Sequence, residues 1–554
     1  MASHRAVLVR ALLSCAALTA CGGGSDSAPA PTPAPPPPLP TPVPPPPPVP
    51  PLVTDTEVRV SGGTPFAAGC SGVTNGTEYR DAEVEPQVAV NPVNPNNWIA
   101  NWQQDRWNSG GASGVVWGVT FDGGTTWSRS ALPVSRCGGG TVSNGGNYAR
   151  ATDPWVTFSP NGSAYQMALA FDGASLQAGS RSAMLVARSS DGGLTWGAVT
   201  TLILSDSSFF NDKNAITADP TDSNYVYAVW DRLALAGGGP SLLARTTDGG
   251  MSWAAAVVIY DPGTASQTIG NQVVVLPNGT LLNVFTQLDP GPGSTTLASI
   301  RVIRSTDKGA TWGPAIKVAD LLAVGARDAT TGQTIRDGSI LPAIAVAPNG
   351  QVLIAWQDAR FSGGSVDGIA LARSTDGGLS WSAPVQVNSA RAVHAFTPAV
   401  RVRSDGVIGI TYFDLRSNTT DPTALPTELI LARSADGSSW SEVRLTPAFD
   451  LDTAPVAAGG YFIGDYQGLA VTDAFIPVYV RTTGSTTNRT DVYAVAVRTP
   501  VPVPLAPRAL PQSATAPAFD DAARQRVSDH IARYMERRIP GWTQWRAKSR
   551  PLQR

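Results

Sequence analysis

From Ala343 the chain runs apolar to Ala347, turns at Pro348, Asn349 and Gly350, and resumes as the apolar run Val352–Trp356. A loop holding Asp358 and Arg360 follows, then a run at Gly368–Arg373, a polar turn around Asp376 and a short run near Ala383–Val387. Short apolar runs bounded by Gly, Asn and Asp read as strands. Four in succession with short connections make one antiparallel sheet, strands A to D. The A–B unit begins again near Gln87, Trp155, Ala215, Gln272, Ala399 and Gly468. Four-stranded sheets repeated about an axis form a β-propeller, so the expected class is all-β. The last unit has a third strand at Asp491–Arg498 but no clear fourth, and Thr56–Ser61 could supply it from the start of the chain. This count favours seven blades, with six as the alternative.

A second periodicity lies within the first. Six segments repeat one pattern: Thr120 to Trp127, Ser189 to Trp196, Thr246 to Trp253, Ser305 to Trp312, Ser374 to Trp381 and the shortened Ser434 to Trp440. Their aspartates, Asp122, Asp191, Asp248, Asp307, Asp376 and Asp436, are 69, 57, 59, 69 and 60 residues apart. The Asp and Ser/Thr side chains can bond backbone N–H groups across a C–D turn, glycine accepts positive φ, and tryptophan buries a broad face between sheets. These aspartates are therefore expected to be structural.

Composition divides the chain. Between 29 and 51, 16 of 23 residues are proline, which predicts an extended spacer rather than a core. Ahead of it, Arg5, Arg10 and the apolar stretch Ala11–Leu18 read as an export signal over 1–20. The sequence Leu18-Thr19-Ala20-Cys21 resembles a bacterial lipobox, which implies lipidation at Cys21, a spacer over 21–53, and an exported chain anchored to the cell envelope or cell surface. Cys70 and Cys137 remain as a candidate disulfide. The propeller is assigned to 54–500. Residues 501–554 form a linker and basic tail, with a helix over Asp520–Arg538 whose stripe is Val527, Ile531, Tyr534 and Met535. The tail could lie on an anionic membrane or dock on the propeller. A net charge of -2 gives no basis for a nucleic-acid partner, and three histidines make a His-rich metal site improbable. No cofactor or metal is expected, and a monomer is the default.

Antiparallel order puts A–B and C–D turns on one rim and B–C and D–A loops on the other. The second rim gathers Asp105 with Arg106, Asp231 with Arg232, Asp358 with Arg360 and Asp414 with Arg416. It also gathers Glu85, Asp153, Asp212 with Lys213, Arg336 with Asp337, His394, and Asp465 with Tyr466. Trp102, Trp230, Trp356 and Tyr412 lie at strand ends nearby. Such a mouth suits a glycan or another polyoxygenated or anionic ligand, with guanidinium groups gripping carboxylates and aromatic faces meeting sugar rings. Alternatively, each Asp–Arg pair is an internal bridge.

The repeated aspartate turn resembles the Asp-box, or bacterial neuraminidase repeat, of sialidase-like propellers. The resemblance implies an exo-α-sialidase-like glycoside hydrolase, with a non-catalytic glycan- or protein-binding propeller, or an assembly role, as alternatives. Carried over by position, Tyr466 would be the nucleophile and Arg232, Arg360 and Arg416 the arginine cluster. Glu85 or Glu428 would partner the tyrosine, and Asp153, Asp212 or Asp337 would be the acid/base. Taken together, Tyr466, Glu85 and Asp337 are the catalytic candidates. Asp212, Asp231, Asp358, Asp414 and Trp356 join the three arginines as substrate-binding candidates. The chain departs from the family in lacking an Arg-Ile-Pro motif at the start of the propeller. Its only copy, Arg538-Ile539-Pro540, falls in the tail and is read as a coincidence.

Overall fold

The computed structural model describes residues 53–293, 295–498, 518–538 and 542. The leader over 1–20, Cys21 and the proline spacer lie outside the described residues, as do 499–517 and most of the tail beyond Arg538.

The described chain is all-β apart from two 3-10 turns and one α-helix, Asp521–Arg538. Its recurring unit is a four-stranded antiparallel sheet in sequential order. One sheet runs Ala343–Val346, Val352–Asp358, Gly368–Ser374 and Val385–Gln386, with Ala343 opposite Ala355 and Val352 opposite Ser374. The first strands of successive sheets are Val84–Asn91, Arg150–Phe158, Phe209–Ala218, Gln267–Val275, Ala343–Val346, Ala395–Val402 and Gly468–Val471. Each packs against the next, and Gly468–Val471 packs against both Ala395–Val402 and Val84–Asn91. The result is propeller-like.

The sheet beginning at Gly468 takes a strand from the other end of the chain. Val58 and Arg59 pair with Ala494 and Tyr493, beside the strand Ala474–Thr482. The Ser61 hydroxyl donates to Asp491 at 3.0 Å, and Val53–Thr54 pairs with Val497–Arg498. Cys70 and Cys137 are bonded, with Cα atoms 5.0 Å apart, and tie the segment before the first sheet to the loop after it.

Large aromatics fill the space within and between sheets. Trp102, Trp230, Trp356 and Tyr412 are all fully buried. The Asp-box Trp196 meets Trp117 of the preceding sheet edge-on, with centroids 6.0 Å apart. Each Asp-box is closed by its own side chains. In one, the Thr120 hydroxyl donates to Asp122 Oδ1 at 2.7 Å and accepts from Gly124 N, while the Thr126 hydroxyl donates to Oδ2 at 2.6 Å. Gly123 and Gly124 have φ of 72° and 92°, conformations that a side chain would strain.

Candidate functional site

The mouth is built by a repeated irregularity where the first strands begin. Register shifts break the pairing at Val84/Gln87, Thr152/Trp155, Asp212/Ala215, Ile269/Gln272 and Phe396/Ala399. The bulged residues have positive φ: 55° at Glu85, 51° at Asp153, 45° at Lys213, 74° at Gly270 and 52° at Thr397. A bulge re-aims one side chain out of the strand's alternation, and left-handed backbone at a non-glycine residue stores strain of about 1 kcal/mol or more. Here it turns Glu85, Asp153 and Lys213 toward one another from adjacent sheets.

Lys213 is the hub. Its ammonium donates to Asp465 Oδ2 at 2.7 Å and lies 3.5 Å from both Glu85 Oε1 and Asp153 Oδ1. Arg336 also holds Asp465, at 2.8 Å, and the Asp465 N–H reaches Glu85 at 3.3 Å. Gln103 donates to Glu85 and accepts from Arg106 at 2.5 Å. The Arg106 and Arg336 guanidinium groups both lie over the Phe462 ring, at 4.5 and 4.3 Å. Glu85, Asp153, Lys213 and Asp465 are all buried.

The environment drives the carboxyls apart. Burial pushes Glu85 up to about 8; Lys213 opposes this, and Asp153 and Asp465 add to it. Asp153 stays below its ordinary value, because Lys213 and hydrogen bonds from Thr152 and Glu85 outweigh its burial and the repulsion of Asp465. Asp465 is likewise held down against burial by Arg336 and Lys213, while those carboxylates hold Lys213 charged well above its usual range despite burial. Burial thus favours the protonated form of Glu85 and Lys213 the ionised form of Asp153, so the two neighbouring carboxyls are shifted in opposite directions.

Beside this cluster is a cavity of about 240 Å³ lined by Arg106, Asp153, Asp212, Lys213, Arg336, Tyr534 and Arg538. A narrower space of about 50 Å³ lies among the first strands, lined by Gln87, Trp155, Gln272, Arg401, Tyr466 and Gln467 among others.

Several expected site residues are placed differently. The arginines 232, 360 and 416 do not converge. Arg360 folds onto Asp358 through two hydrogen bonds of 2.8 Å and also holds the Asp320 carbonyl. Arg416 closes on Asp414 and Glu442, and Arg232 lies over Phe209 at 4.4 Å. Nor do the Asp358 and Asp414 ion pairs run between adjacent blades, since each is bound by the arginine two residues on in its own loop. Asp231 and Arg232 are neighbours in one strand and point to opposite faces. Asp231 instead meets Arg538 at 3.0 Å, so the tripeptide read as a coincidence supplies a mouth residue. Trp356 offers no face to a sugar, being fully buried with its Nε1 donating to Asp358 at 2.7 Å.

The tyrosine–glutamate couple does not form either. Tyr466 meets Trp155 edge-on at 5.4 Å, and its hydroxyl reaches the Pro154 carbonyl at 3.4 Å. Burial, together with Glu85, Asp153 and Asp465, pushes that hydroxyl's pKa well up. Glu428 is bound by Ser417 and Arg444. Asp337 accepts from Ala326 N at 2.7 Å and Gln357 Nε2 at 2.9 Å, so both contacts pin its own loop. His394 bridges loops by accepting from Asp367 N at 3.1 Å. Arg106, Lys213, Arg336 and Asp465 lie on the rim expected for them, but none was among the catalytic or substrate-binding candidates, and neither was Arg538 of the tail. The usable signal was an ionisable residue ahead of Pro or Asn at the start of a first strand, as in Glu85-Pro86, Asp153-Pro154 and Lys213-Asn214.

Residues 241–458 match the sequence family described as a BNR repeat-like domain. Among curated protein sequences no match is found. Among solved structures, an α-L-arabinanase of Penicillium chrysogenum complexed with arabinobiose aligns over 80% of this chain and 98% of its own, at 12% identity and a TM-score of 0.42. A Hadza microbial sialidase aligns over 72% of this chain and 76% of its own, at 14% identity and a TM-score of 0.42. The leech intramolecular trans-sialidase aligns over 77% and 70%, at 14% identity and a TM-score of 0.38. The match is to a BNR repeat-like domain over residues 241–458, and four of the six Asp-box turns, those at Asp248, Asp307, Asp376 and Asp436, fall within it.

Proposed function

We propose that the mouth is the active site of a glycan-acting hydrolase, with Asp153 as the acid/base, Glu85 behind it as its proton-holding partner, and Arg106 and Arg336 as the grip on an anionic or polyhydroxylated sugar. The carrying observation is the buried Glu85–Asp153 pair, shifted in opposite directions around Lys213 and opening through Asp153 onto the cavity. Glycosidic cleavage needs a proton delivered to the leaving oxygen, and in this reading Asp153 delivers it after taking it from Glu85, which is left ionised beside Lys213. The resemblance to sialidase-like propellers favours a glycan. The regrouped arginines keep an acidic sugar such as a sialoside among the first substrates to try.

The ring of first strands and the closure by Val58–Arg59 support seven blades. The leader, Cys21 and the proline spacer support an exported lipoprotein held off a bacterial envelope membrane. Mass spectrometry of Cys21→Ala against the native chain tests that placement, since the lipid should be lost.

A second reading, a glycan-binding mouth without turnover, is favoured by one observation: Lys213 already engages all three central carboxyls. Assaying the purified chain on a chromogenic sialoside, arabinosides and a neutral polysaccharide panel separates the two. The hydrolase reading expects turnover that Asp153→Asn lowers by about 10²-fold or more while ligand binding survives. Binding without turnover in the unsubstituted chain would establish the second reading instead.

A further inference from the structure

The C-terminal helix, Asp521–Arg538, lies across the mouth. Its expected stripe is its docking face: Val527, Ile531, Tyr534 and Met535 are buried in one core with Leu288, Ala298, Leu321 and Trp356. Polar contacts follow along its length. Arg526 donates to the Gly364 carbonyl at 2.9 Å, Ser528 accepts from Thr296 N at 2.8 Å, and His530 Nε2 meets the Ser339 hydroxyl at 2.7 Å. The propeller loops are shaped to receive it. A Cβ at Gly364 would fall 2.5 Å from that of Ala523, and one at Gly325 would fall 2.3 Å from the His530 ring.

The last turn ends on the candidate site. Arg538 Nε donates to Asp212 at 2.8 Å and its Nη2 reaches Asp231 at 3.0 Å, while the Ser175 hydroxyl binds the Arg538 carbonyl at 2.9 Å. Asp231 is fully buried and Asp212 nearly so, so this guanidinium is desolvated and held by two carboxylates from one sheet. Tyr534, one turn earlier, lines the cavity, and its buried hydroxyl has no hydrogen-bond partner among the described residues. An unpartnered buried hydroxyl carries a desolvation cost unless something else fills the cavity beside it. The helix thus closes the mouth while leaving room and a free polar group at the closure.

We propose that the C-terminal helix is a detachable lid on the mouth, seated by a guanidinium clasp of Arg538 on Asp212 and Asp231. Its removal uncovers the approach to Asp153 and Lys213. The helix would cover the mouth in this way whether or not the mouth is catalytic.

A protease recognition sequence placed within 505–511 lets the folded full chain be cut once between propeller and helix. After cutting, the tail should co-elute with the propeller at low ionic strength. In Arg538→Ala it should leave about tenfold faster, as expected for loss of a charge-assisted pair of hydrogen bonds. Arg538→Lys, which keeps the charge but loses the fork, should fall between and serves if the alanine variant folds poorly. Amide exchange over 209–214, at the mouth's edge, should rise as the tail departs. The proposal is overturned by immediate loss of the tail from the unsubstituted chain, by equal retention in both Arg538 variants, or by departure without any change in exchange over 209–214. No glycan enters these measurements, so a chain that bound none would remove the preceding reading and leave this one standing.

Discussion

The two rims of this protein use aspartate in opposite ways. On the turn rim the Asp-box carboxylates are served by their own loops and are exposed, Asp436 being partly buried. For Asp122, Asp248, Asp307 and Asp376 the hydroxyl four residues on is the leading cause that holds the pKa at about 2. At the mouth the carboxyls are buried, and burial first of all pushes Glu85 to about 8, Asp231 to about 7 and Asp367 to about 8. Their partners are remote in sequence: Lys213 lies 252 residues from Asp465, and Arg538 lies 307 from Asp231. One rim is a set of identical self-contained turns; the other is a single assembly made only when the ring closes.

The contrast is tested most severely at Lys213. Lys213→Met keeps the length and removes the charge, leaving buried Asp153 and Asp465 without their shared ammonium. Breaking a buried pair from one side costs about 3–5 kcal/mol, so urea unfolding at pH 7 should show a loss of that size. A loss below about 1 kcal/mol would show that the mouth carboxyls simply take up protons, and that the hub is not what holds them. Glu85→Gln probes the other half of the mouth. The raised Glu85 carboxyl binds its proton more tightly in the folded chain than in the unfolded one, so its contribution is full below about 4.5 and falls as pH rises through about 8. An amide has no proton to lose, so the variant should flatten the decline in urea midpoint between pH 5 and 8. An unchanged slope would place the proton elsewhere in the cluster.

This difference also decides what could be read from the sequence. The Asp-box turns were legible because every donor and acceptor lies within four residues, so selection on one turn leaves the same eight-residue trace wherever the turn recurs. The strand units were legible for the same local reason, and Thr56–Ser61 could be placed because one sheet visibly lacked a strand. The mouth left no such trace. Glu85, Asp153 and Lys213 share a position, the bulge before a first strand, but not a residue type. Asp–Arg proximity misled, since Arg360 and Arg416 are spent on carboxylates two residues away, whereas Arg106, near the end of a strand, and Arg336, in a loop, reach the site from far apart in the chain. Arg538 could not be connected with Asp231 without knowing where the helix docks. Its apolar stripe was readable, but not the surface that covers it.

The smallest effect is expected on the turn rim, at one Asp-box. Asp376 accepts from the Ser380 hydroxyl, and from Ser380 N at 2.9 Å and Leu379 N at 3.1 Å. Its lowered pKa means the folded turn binds a proton less readily than the unfolded chain. Its contribution is therefore complete above about 4 and is lost as pH falls toward about 2. Asp376→Asn has no charge to titrate and keeps only one acceptor oxygen for the turn, so it should lower the neutral midpoint slightly, with the deficit vanishing as pH falls toward about 2 and the acid limb softened accordingly. Because five similar turns remain, the softening should be a fraction of the whole limb, and the same substitution at Asp248 or Asp307 should reproduce it. Added salt should change it little, since the donors are hydrogen-bonded groups of the same turn rather than distant charges. If Asp376→Asn instead moved the stability slope between pH 5 and 8, that turn would be coupled to the mouth, and the separation of the two rims into local and global electrostatics would fail.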